Sequence, residues 1–337
     1  MIWLAWRQRR GTIVVALVAL ATIAAILVLT GRQMSASFHD DGLASCIERL
    51  HGAAFVPVDG GCQDEAAAFA SRFFMMRLLG LTLFTFAPLA LGMFWGAPVV
   101  AREVEHDTVS LAWTQGVTRR RWTWTQLGVV GAMTLVAMGV FASLVTWWYG
   151  PLNAATGDRF QWLIYDQQGL APVGYALFVV ALAAFLGAVT GRTLRAMAIS
   201  VIGFIATRFV VAVWLRPRFM SPLERTYPVL GDRVPNHLLG DWLYGGGGPG
   251  VGVILRANGE RIAGGQRICP PPDAACLAEV GRGAYNLELF HPASRFWTFQ
   301  AIEAAIFLVF ALGLAFATVW WVRRQLAEDR GGDSIRR

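Results

Sequence analysis

The chain has 337 residues, of which 55% are hydrophobic and only 15% are charged, a composition too apolar for a water-soluble domain. The net charge of +7 fits contact with anionic lipid headgroups better than contact with nucleic acid. All 29 basic residues are arginine, so this chain cannot supply the lysine-containing phosphate-binding loop of a nucleotide hydrolase.

Six apolar runs are long enough to cross a bilayer as helices. They lie at residues 12–30, 73–100, 125–149, 171–190, 196–215 and 296–322. Pro88 lies inside the second run and should kink that helix. A cleavable signal peptide is the alternative for the first run, although its apolar segment is longer than an ordinary signal core. The sequence therefore predicts an all-α polytopic membrane protein with six transmembrane helices.

The segments between the spans differ in arginine content. Arginine is dense in four of them, at residues 1–11, 101–124, 191–195 and 323–337. The short loop 150–170 contains only Arg159. Because basic residues concentrate in cytoplasmic loops, we predict a multi-pass plasma-membrane protein with both termini cytoplasmic. The extracellular segments are then 31–72, 150–170 and 216–295.

Two arginine-rich segments also contain tryptophan, which is typical of chain that lies at a membrane surface. The first is residues 1–11, expected to form an interfacial helix anchored by Trp3, Trp6 and Arg7. The second is residues 101–124, expected to bind lipid phosphates through Arg119, Arg120 and Arg121.

The four cysteines all fall in the predicted extracellular segments, where disulfides persist. We favour Cys46 with Cys62 and Cys269 with Cys276, because each pair closes a short loop, and other pairings remain open. A zinc site that uses His39 or His51 is the alternative, but the sequence has no ligand-spacing motif for it, and we expect no bound metal.

The segment 216–295 is predicted to be an extracellular cap with little regular structure apart from one hairpin. Residues 253–257 and 260–263 flank Asn258-Gly259, a two-residue sequence that favours a β-turn between antiparallel strands.

Three charged residues lie within the apolar runs, where an unpaired charge is costly. Arg77, Arg208 and Glu303 all fall near the extracellular ends of their spans. Their similar depth suggests an ion pair between Arg208 and Glu303, with Arg77 as a further member. A salt bridge that holds helices together and a substrate-binding role are both open.

The loop 101–124 carries the strongest motif, AREVEHDTVSLAWTQGVTRRRW, directly after the second span. It resembles the first cytoplasmic loop of ABC-2 type transporter permeases, and is similar to the permease subunits common in actinobacteria. SRFWTFQAIE at 294–303 and the WWVRR that ends at Arg324 share this resemblance. One departure is Asp107, where such permeases often carry glycine.

The resemblance implies a non-enzymatic permease subunit of an ATP-driven exporter. Two permease copies, expected to form a homodimer, would work with an ABC ATPase dimer that binds the ATP and Mg, so no cofactor and no catalytic residue is expected in this chain. Membrane lipid is the other expected partner, and nucleic acid is not. A coupling helix in 101–124 would contact the ATPase through five residues, Arg102, Glu103, Glu105, Thr108 and Leu111.

Two other functions compete with the exporter. A membrane sensor or regulatory subunit could signal through the same loop. A membrane-embedded enzyme is less favoured, because the chain lacks the H-E-x-x-H and G-x-S-x-G motifs and its five histidines are scattered through loops. Aromatic residues of the spans would suit an amphipathic drug, lipid or peptide, and they equally suit contact with lipid. They are Phe84, Phe86, Phe94, Trp95, Trp147, Trp148 and Phe204.

Overall fold

Six helical segments, each long and apolar enough to cross a membrane, dominate the fold. The computed structural model describes residues 10–50, 52–57, 61–105, 118–243, 252–264, 268–269 and 274–333. We number the six segments spans 1 to 6. They extend over Ile13–Asp40, Phe74–Val99, Arg120–Trp148, Ala171–Thr190, Thr193–Arg218 and Ala293–Arg324. The prediction of a mostly helical fold with six membrane-spanning helices is confirmed.

Several helices continue past the apolar runs that predicted them. Span 1 belongs to a helix that covers Arg10–Asp40, span 3 to Arg119–Trp148 and span 6 to Phe296–Asp333. Polar residues such as Gln33 and Gln325 are good helix formers, so the chain becomes polar before the helix ends. Composition therefore marks the part inside a bilayer rather than the ends of the helix.

Span 2 is broken into four pieces. They are the helices Phe74–Thr85 and Ala87–Leu91, a π-helical turn Gly92–Gly96 and a 3-10 turn Ala97–Val99. The α-helix is interrupted at Phe86, close to the predicted site, because Pro88 has no N–H to donate to the carbonyl of Phe84.

Spans 4 and 5 form a tight pair. The span 4 helix covers Ala171–Thr190 and ends at Gly191, whose φ of 62° suits glycine. The span 5 helix covers Thr193–Val210 and continues as the π-helical turn Val211–Leu215 and the 3-10 turn Arg216–Arg218.

Span 4 is the centre of the bundle. Of its most apolar window 61% is buried, against 6% for span 1, and it packs against spans 2, 3, 5 and 6. Span 2 comes especially close, because a Cβ at Gly96 would lie 2.6 Å from the carbonyl oxygen of Val180. Only glycine permits this contact between the two backbones.

The strands lie on one side of the bundle, and we call this side the sheet face. The opposite side, where the described chain begins at Arg10 and span 2 leads into Glu105, is the terminal face. Seven strands cover Phe55–Pro57 (β1), Leu223–Pro228 (β2), Arg233–Pro235 (β3), Trp242–Leu243 (β4), Gly252–Leu255 (β5), Arg261–Gly264 (β6) and Tyr285–His291 (β7). Short helices add Leu43–Arg49, Gln63–Arg72, Ala101–Glu105, Gly150–Thr156, Trp162–Tyr165 and Ala274–Val280.

The expectation of a cap with little regular structure is wrong. The predicted hairpin is present as β5 and β6, which pair antiparallel, but it belongs to an antiparallel sheet of five strands with the order β2-β7-β5-β6 and β4 beside β7. A second antiparallel pair, β1 with β3, joins the chain after span 1 to the chain after span 5. The regular structure on the sheet face therefore comes mainly from strands that are far apart in sequence, such as β1 with β3 and β2 with β7.

Both favoured disulfides are present in the structure. Cys46 is bonded to Cys62 and Cys269 to Cys276, with Cα–Cα distances of 5.9 and 5.8 Å. The first holds the helix Leu43–Arg49 to the start of the helix Gln63–Arg72, and the second lies in the small core under β5. All four cysteines therefore lie on the sheet face.

Candidate coupling site and buried ion cluster

The chain that leaves span 2 on the terminal face is tied to the start of span 5. It forms the helix Ala101–Glu105, in which Ala101 is buried and Arg102 and Glu105 are exposed. The Glu105 carboxylate accepts a hydrogen bond of 2.8 Å from Thr193 Oγ1, and its Oε2 atom lies 3.5 Å from the Thr193 backbone nitrogen. A carboxylate at a helix N-terminus is stabilised by the free N–H groups and the helix dipole.

The same helix is also held against span 4. A Cβ at Gly187 would lie 2.9 Å from the carbonyl oxygen of Ala97 and 3.2 Å from the Cβ of Ala101. The terminal end of span 2 is therefore fixed to spans 4 and 5 together.

A depression of about 650 Å³ opens beside this contact on the terminal face. Glu105, Gly191, Arg192, Leu194 and Arg195 line it. Leu194 is 81% exposed, and the two arginines are exposed as well. An exposed apolar side chain between charges of both signs is suited to contact with a folded partner protein.

The structure describes only part of the predicted coupling and anchoring residues. Arg102, Glu105, Arg120 and Arg121 are described and exposed. The others lie outside the described residues, and they are Trp3, Trp6, Arg7, Thr108, Leu111 and the side chains of Glu103 and Arg119.

A cluster of four charged side chains is buried near the sheet face, between spans 4, 5 and 6. Arg216 donates from Nε to Glu303 Oε2 and from Nη2 to Glu303 Oε1, each at 2.7 Å. It also pairs with Asp166, which accepts a hydrogen bond of 3.1 Å from Arg208 Nε through its other oxygen. Tyr175 Oη lies beside both carboxylates. These five residues form the ion cluster.

The ion cluster is largely buried and electrically balanced. Asp166, Arg216 and Glu303 are each at most 4% exposed, and two arginines face two carboxylates. Burial alone would raise the pKa of Asp166, but the charges of Arg216 and Arg208 outweigh it and hold this pKa below its ordinary value. With all four groups charged, the cluster has no net charge to offer a ligand.

The predicted direct pair between Arg208 and Glu303 is wrong. Arg208 pairs with Asp166, and Glu303 pairs with Arg216. The comparison of depths did not include Asp166 and Arg216, because both lie outside the apolar runs from which the spans were predicted. One local indication of these partners was present in the sequence. Asp166 lies five residues before the predicted start of span 4, and Arg216 directly follows the predicted end of span 5 at Leu215.

Arg77 is not a member of the ion cluster. Its Nη2 atom lies 2.7 Å from Asp158 Oδ2 and 2.9 Å from Gln161 Oε1. It therefore connects span 2 to the segment between spans 3 and 4.

The aromatic residues proposed for substrate contact do not share one surface. Phe84, Trp95, Trp148 and Phe204 are buried in the packing between helices. Phe86, Phe94 and Trp147 are between 48% and 66% exposed. The first group stabilises the bundle, and the second is available to lipid or to another chain.

A metal site has no support in the part of the chain that is described. Within those residues no three histidine, cysteine or acidic side chains lie close enough together to hold a metal ion. All four cysteines are used in disulfides.

The comparisons with known proteins identify the family. A family model described as ABC-2 membrane transporter related matches residues 17–216, which is more than half of the chain. The match begins within span 1 and ends within span 5, and it includes spans 2 to 4 completely. The chain belongs to the ABC-2 membrane transporter related family. No curated protein and no solved structure matches it.

Membership of the ABC-2 family fits the six apolar helices and identifies a multi-pass membrane protein that is a transporter permease component. It indicates a non-catalytic membrane subunit and implies association with an ABC ATPase. The matched region contains the Glu105–Thr193 contact and three of the four charged residues of the ion cluster.

Proposed function

We propose that the chain is the membrane subunit of an ATP-driven exporter and that a separate ATPase docks on the terminal face at 101–124. The observation that carries this proposal is the Glu105–Thr193 hydrogen bond within a chain of the ABC-2 family. It links the segment after span 2 to the first turn of span 5, beside the depression that contains Leu194.

The packing of span 2 gives a route for the motion. Gly92 and Gly96 hold the terminal half of span 2 against Val179 and Val180 of span 4. A push on the helix Ala101–Glu105 therefore reaches the central helix of the bundle rather than a loop. The sheet-face half of span 2 is separated from this motion by the break at Phe86.

The positions of the disulfides and the exposed arginines are compatible with a cytoplasmic terminal face. Exposed arginines on that face include Arg10, Arg102, Arg192, Arg195 and Arg323, and none of them forms a salt bridge within the described residues. Disulfides on the sheet face suit an oxidising exterior, and the arginines of the terminal face suit an anionic cytoplasmic leaflet. Exposed arginines without a salt bridge among the described residues also lie on the sheet face, for example Arg233 and Arg282, so the disulfides carry this argument.

The remaining parts of the proposal follow from this arrangement. Two copies of the chain act with two ATPase subunits, which bind ATP and Mg. The substrate class is an amphipathic drug, lipid or peptide, because exposed aromatic and aliphatic side chains of the spans offer apolar contact.

The test is co-expression with an ABC ATPase from the same genome, followed by co-purification, ATP hydrolysis and transport into vesicles. Glu103→Ala combined with Glu105→Ala should reduce complex formation or substrate-stimulated hydrolysis about tenfold or more, because charged contacts at a docking surface fix its register. Glu260→Ala, an exposed glutamate on the sheet face, is the matched control and should behave as the unmodified chain.

Three results would contradict the exporter. They are unchanged assembly and hydrolysis in the double variant, hydrolysis by this chain without any ATPase, and a complex that hydrolyses ATP but moves no substrate. The last result would favour the sensor or regulatory subunit.

A further inference from the structure

Spans 3 and 6 come together at the terminal face through an aromatic contact. The ring centroids of Trp124 and Phe316 are 5.0 Å apart in an edge-on arrangement. This contact fixes which sides of the two helices face each other.

On span 3, two arginines share the side that carries Trp124. Arg120 and Arg121 precede Trp124 by four and three residues, and positions three or four apart lie on the same face of a helix. At 1.5 Å per residue, Arg120 lies about 6 Å beyond the aromatic contact, toward the terminal face.

On span 6, an aromatic residue and two arginines lie on the terminal side of Phe316, and here they follow the contact residue in sequence because span 6 runs toward the terminal face. Trp320, Arg323 and Arg324 follow Phe316 by four, seven and eight residues, which again places them on one helix face. The Cζ atom of Arg324 lies 4.6 Å from the ring centroid of Trp320. Trp320 is thus level with Arg120, at about 6 Å from the contact, and Arg324 lies about 6 Å further out.

The resulting surface contains four arginines beside exposed aromatic rings. We call Arg120, Arg121, Arg323 and Arg324 with Trp320 and Phe316 the arginine–aromatic face. All four arginines are exposed, and none of them forms a salt bridge among the residues that the structure describes. Phe316 is 62% and Trp320 50% exposed, so both rings can contact an acyl chain.

We infer that the arginine–aromatic face binds one anionic phospholipid in the leaflet on the terminal side. Guanidinium groups hold phosphate oxygens in pairs of hydrogen bonds, and tryptophan prefers the level of the headgroups. On span 6 the order outward from the bilayer is Phe316, Trp320 and Arg324, which matches the order acyl chain, glycerol and phosphate in a lipid, and Arg120 of span 3 lies level with Trp320. A free phosphate ion would use only the outer part of this surface.

The experiment measures lipid binding to the purified full chain by native mass spectrometry in detergent. The probes are a dioleoyl phosphatidylglycerol, a dioleoyl phosphatidylcholine and inorganic phosphate. We expect one phosphatidylglycerol to bind at least tenfold more tightly than phosphatidylcholine. The combined change of the four arginines to glutamine should remove this preference, because each arginine near an anionic headgroup contributes separately to the attraction.

Two further variants separate a site from general surface charge and from misfolding. The double variant Arg192→Gln with Arg195→Gln removes two exposed arginines of the terminal face that are not part of the arginine–aromatic face. It should change the ratio of phosphatidylglycerol to phosphatidylcholine affinity by no more than about twofold. Changing the four arginines to lysine keeps the charge and should retain a clear preference for phosphatidylglycerol.

Several outcomes would overturn the inference. They are equal affinity for the two lipids, an equal loss in the Arg192 and Arg195 control, a lysine variant as weak as the glutamine variant, and inorganic phosphate that binds as tightly as the lipid. The measurement needs no ATPase, so its result is independent of the proposed coupling function.

Discussion

Arg216 is the residue on which the ion cluster depends. It binds both carboxylates, lies over the ring of Tyr165 with its Cζ atom 4.0 Å from the centroid, and is 2% exposed. Through it, Asp166, span 5 and Glu303 of span 6 are held at one point. A buried pair of this kind is strongly destabilising when one partner is lost, because the other charge is then uncompensated.

Asp166→Asn is predicted to destabilise the protein by about 3–5 kcal/mol, because Arg208 and Arg216 would then share one carboxylate. Thermal unfolding of the purified chain in detergent measures the change. The matched control is Asp41→Asn, which breaks the exposed pair between Arg72 and Asp41 and should cost at most about 1 kcal/mol. Equal effects of the two substitutions would contradict the account of the ion cluster.

Double-mutant cycles should distinguish the observed partners from the pair predicted by depth. Arg216 with Glu303 and Arg208 with Asp166 are predicted to show coupling of about 1–3 kcal/mol, since each pair is in contact. Arg208 with Glu303 should show less, because that pair acts only through Asp166 and Arg216. The free energies of unfolding of the glutamine and asparagine variants give these values, and strongest coupling between Arg208 and Glu303 would refute the observed pairing.

At the scale of single residues, the sequence indicated which span residues needed partners but not which partners they had. Arg208 and Glu303 stood out because charge is rare in apolar runs. Asp166 and Arg216 did not stand out, because each lies in polar sequence at the end of a span. Several spans have polar residues at their ends at a similar depth. Only the packing of the helices shows that Asp166 and Arg216 are the ones buried in the bundle.

At the scale of elements, the contact between spans 2 and 4 depends on glycine residues, which have no side chain to separate the two backbones. Gly92, Gly96 and Gly187 each lie where a Cβ would come within 3.0 Å of the neighbouring element. Small residues at helix interfaces in membranes allow the backbones to approach, and close packing then replaces a hydrophobic driving force.

Gly96→Ala is predicted to destabilise the bundle by about 1–3 kcal/mol, because the new methyl group would overlap the carbonyl oxygen of Val180. Gly128→Ala in span 3 is the matched control, since a Cβ there meets nothing within 4 Å and alanine favours helix by up to about 1 kcal/mol. Unfolding midpoints in detergent should fall for the first variant and stay level or rise for the second. A fall of equal size in both would show that the close approach is not the cause.

The helices were predictable from sequence to a greater extent than the sheet. Each span is a local apolar run, and span 4 was predicted at the residues where its helix lies. The hairpin of β5 and β6 was also local, with Asn258-Gly259 at its turn. The pairing of β2 with β7 joins residues such as Arg225 and Glu288, and no local pattern reports a contact across that distance.

At the scale of the whole molecule, the two faces differ in chemistry. The sheet face contains both disulfides and salt bridges such as Arg225 with Glu288, whereas the terminal face contains no cysteine among the residues described. Whole-cell labelling can therefore test the proposed orientation without knowledge of the substrate.

A cysteine placed at Asn258, in the exposed turn of the sheet, is predicted to react with a membrane-impermeant maleimide on intact cells. A cysteine placed at Arg195, on the terminal face, should react only after the cells are opened. The native cysteines do not interfere, because all four are bonded. Labelling of the Arg195 variant on intact cells, with protection of the Asn258 variant, would reverse the orientation.

The strand pair of β1 and β3 fastens only one end of span 1. Leu27 and Met34, toward that end, are at most 2% exposed, whereas Val14, Val15 and Val18 are between 58% and 69% exposed. Span 1 is thus covered by the rest of the chain mainly toward the sheet face and is more exposed toward the terminal face. Those valines are therefore available for contact with acyl chains or with another membrane-spanning helix, whereas Leu27 and Met34 are already covered by this chain.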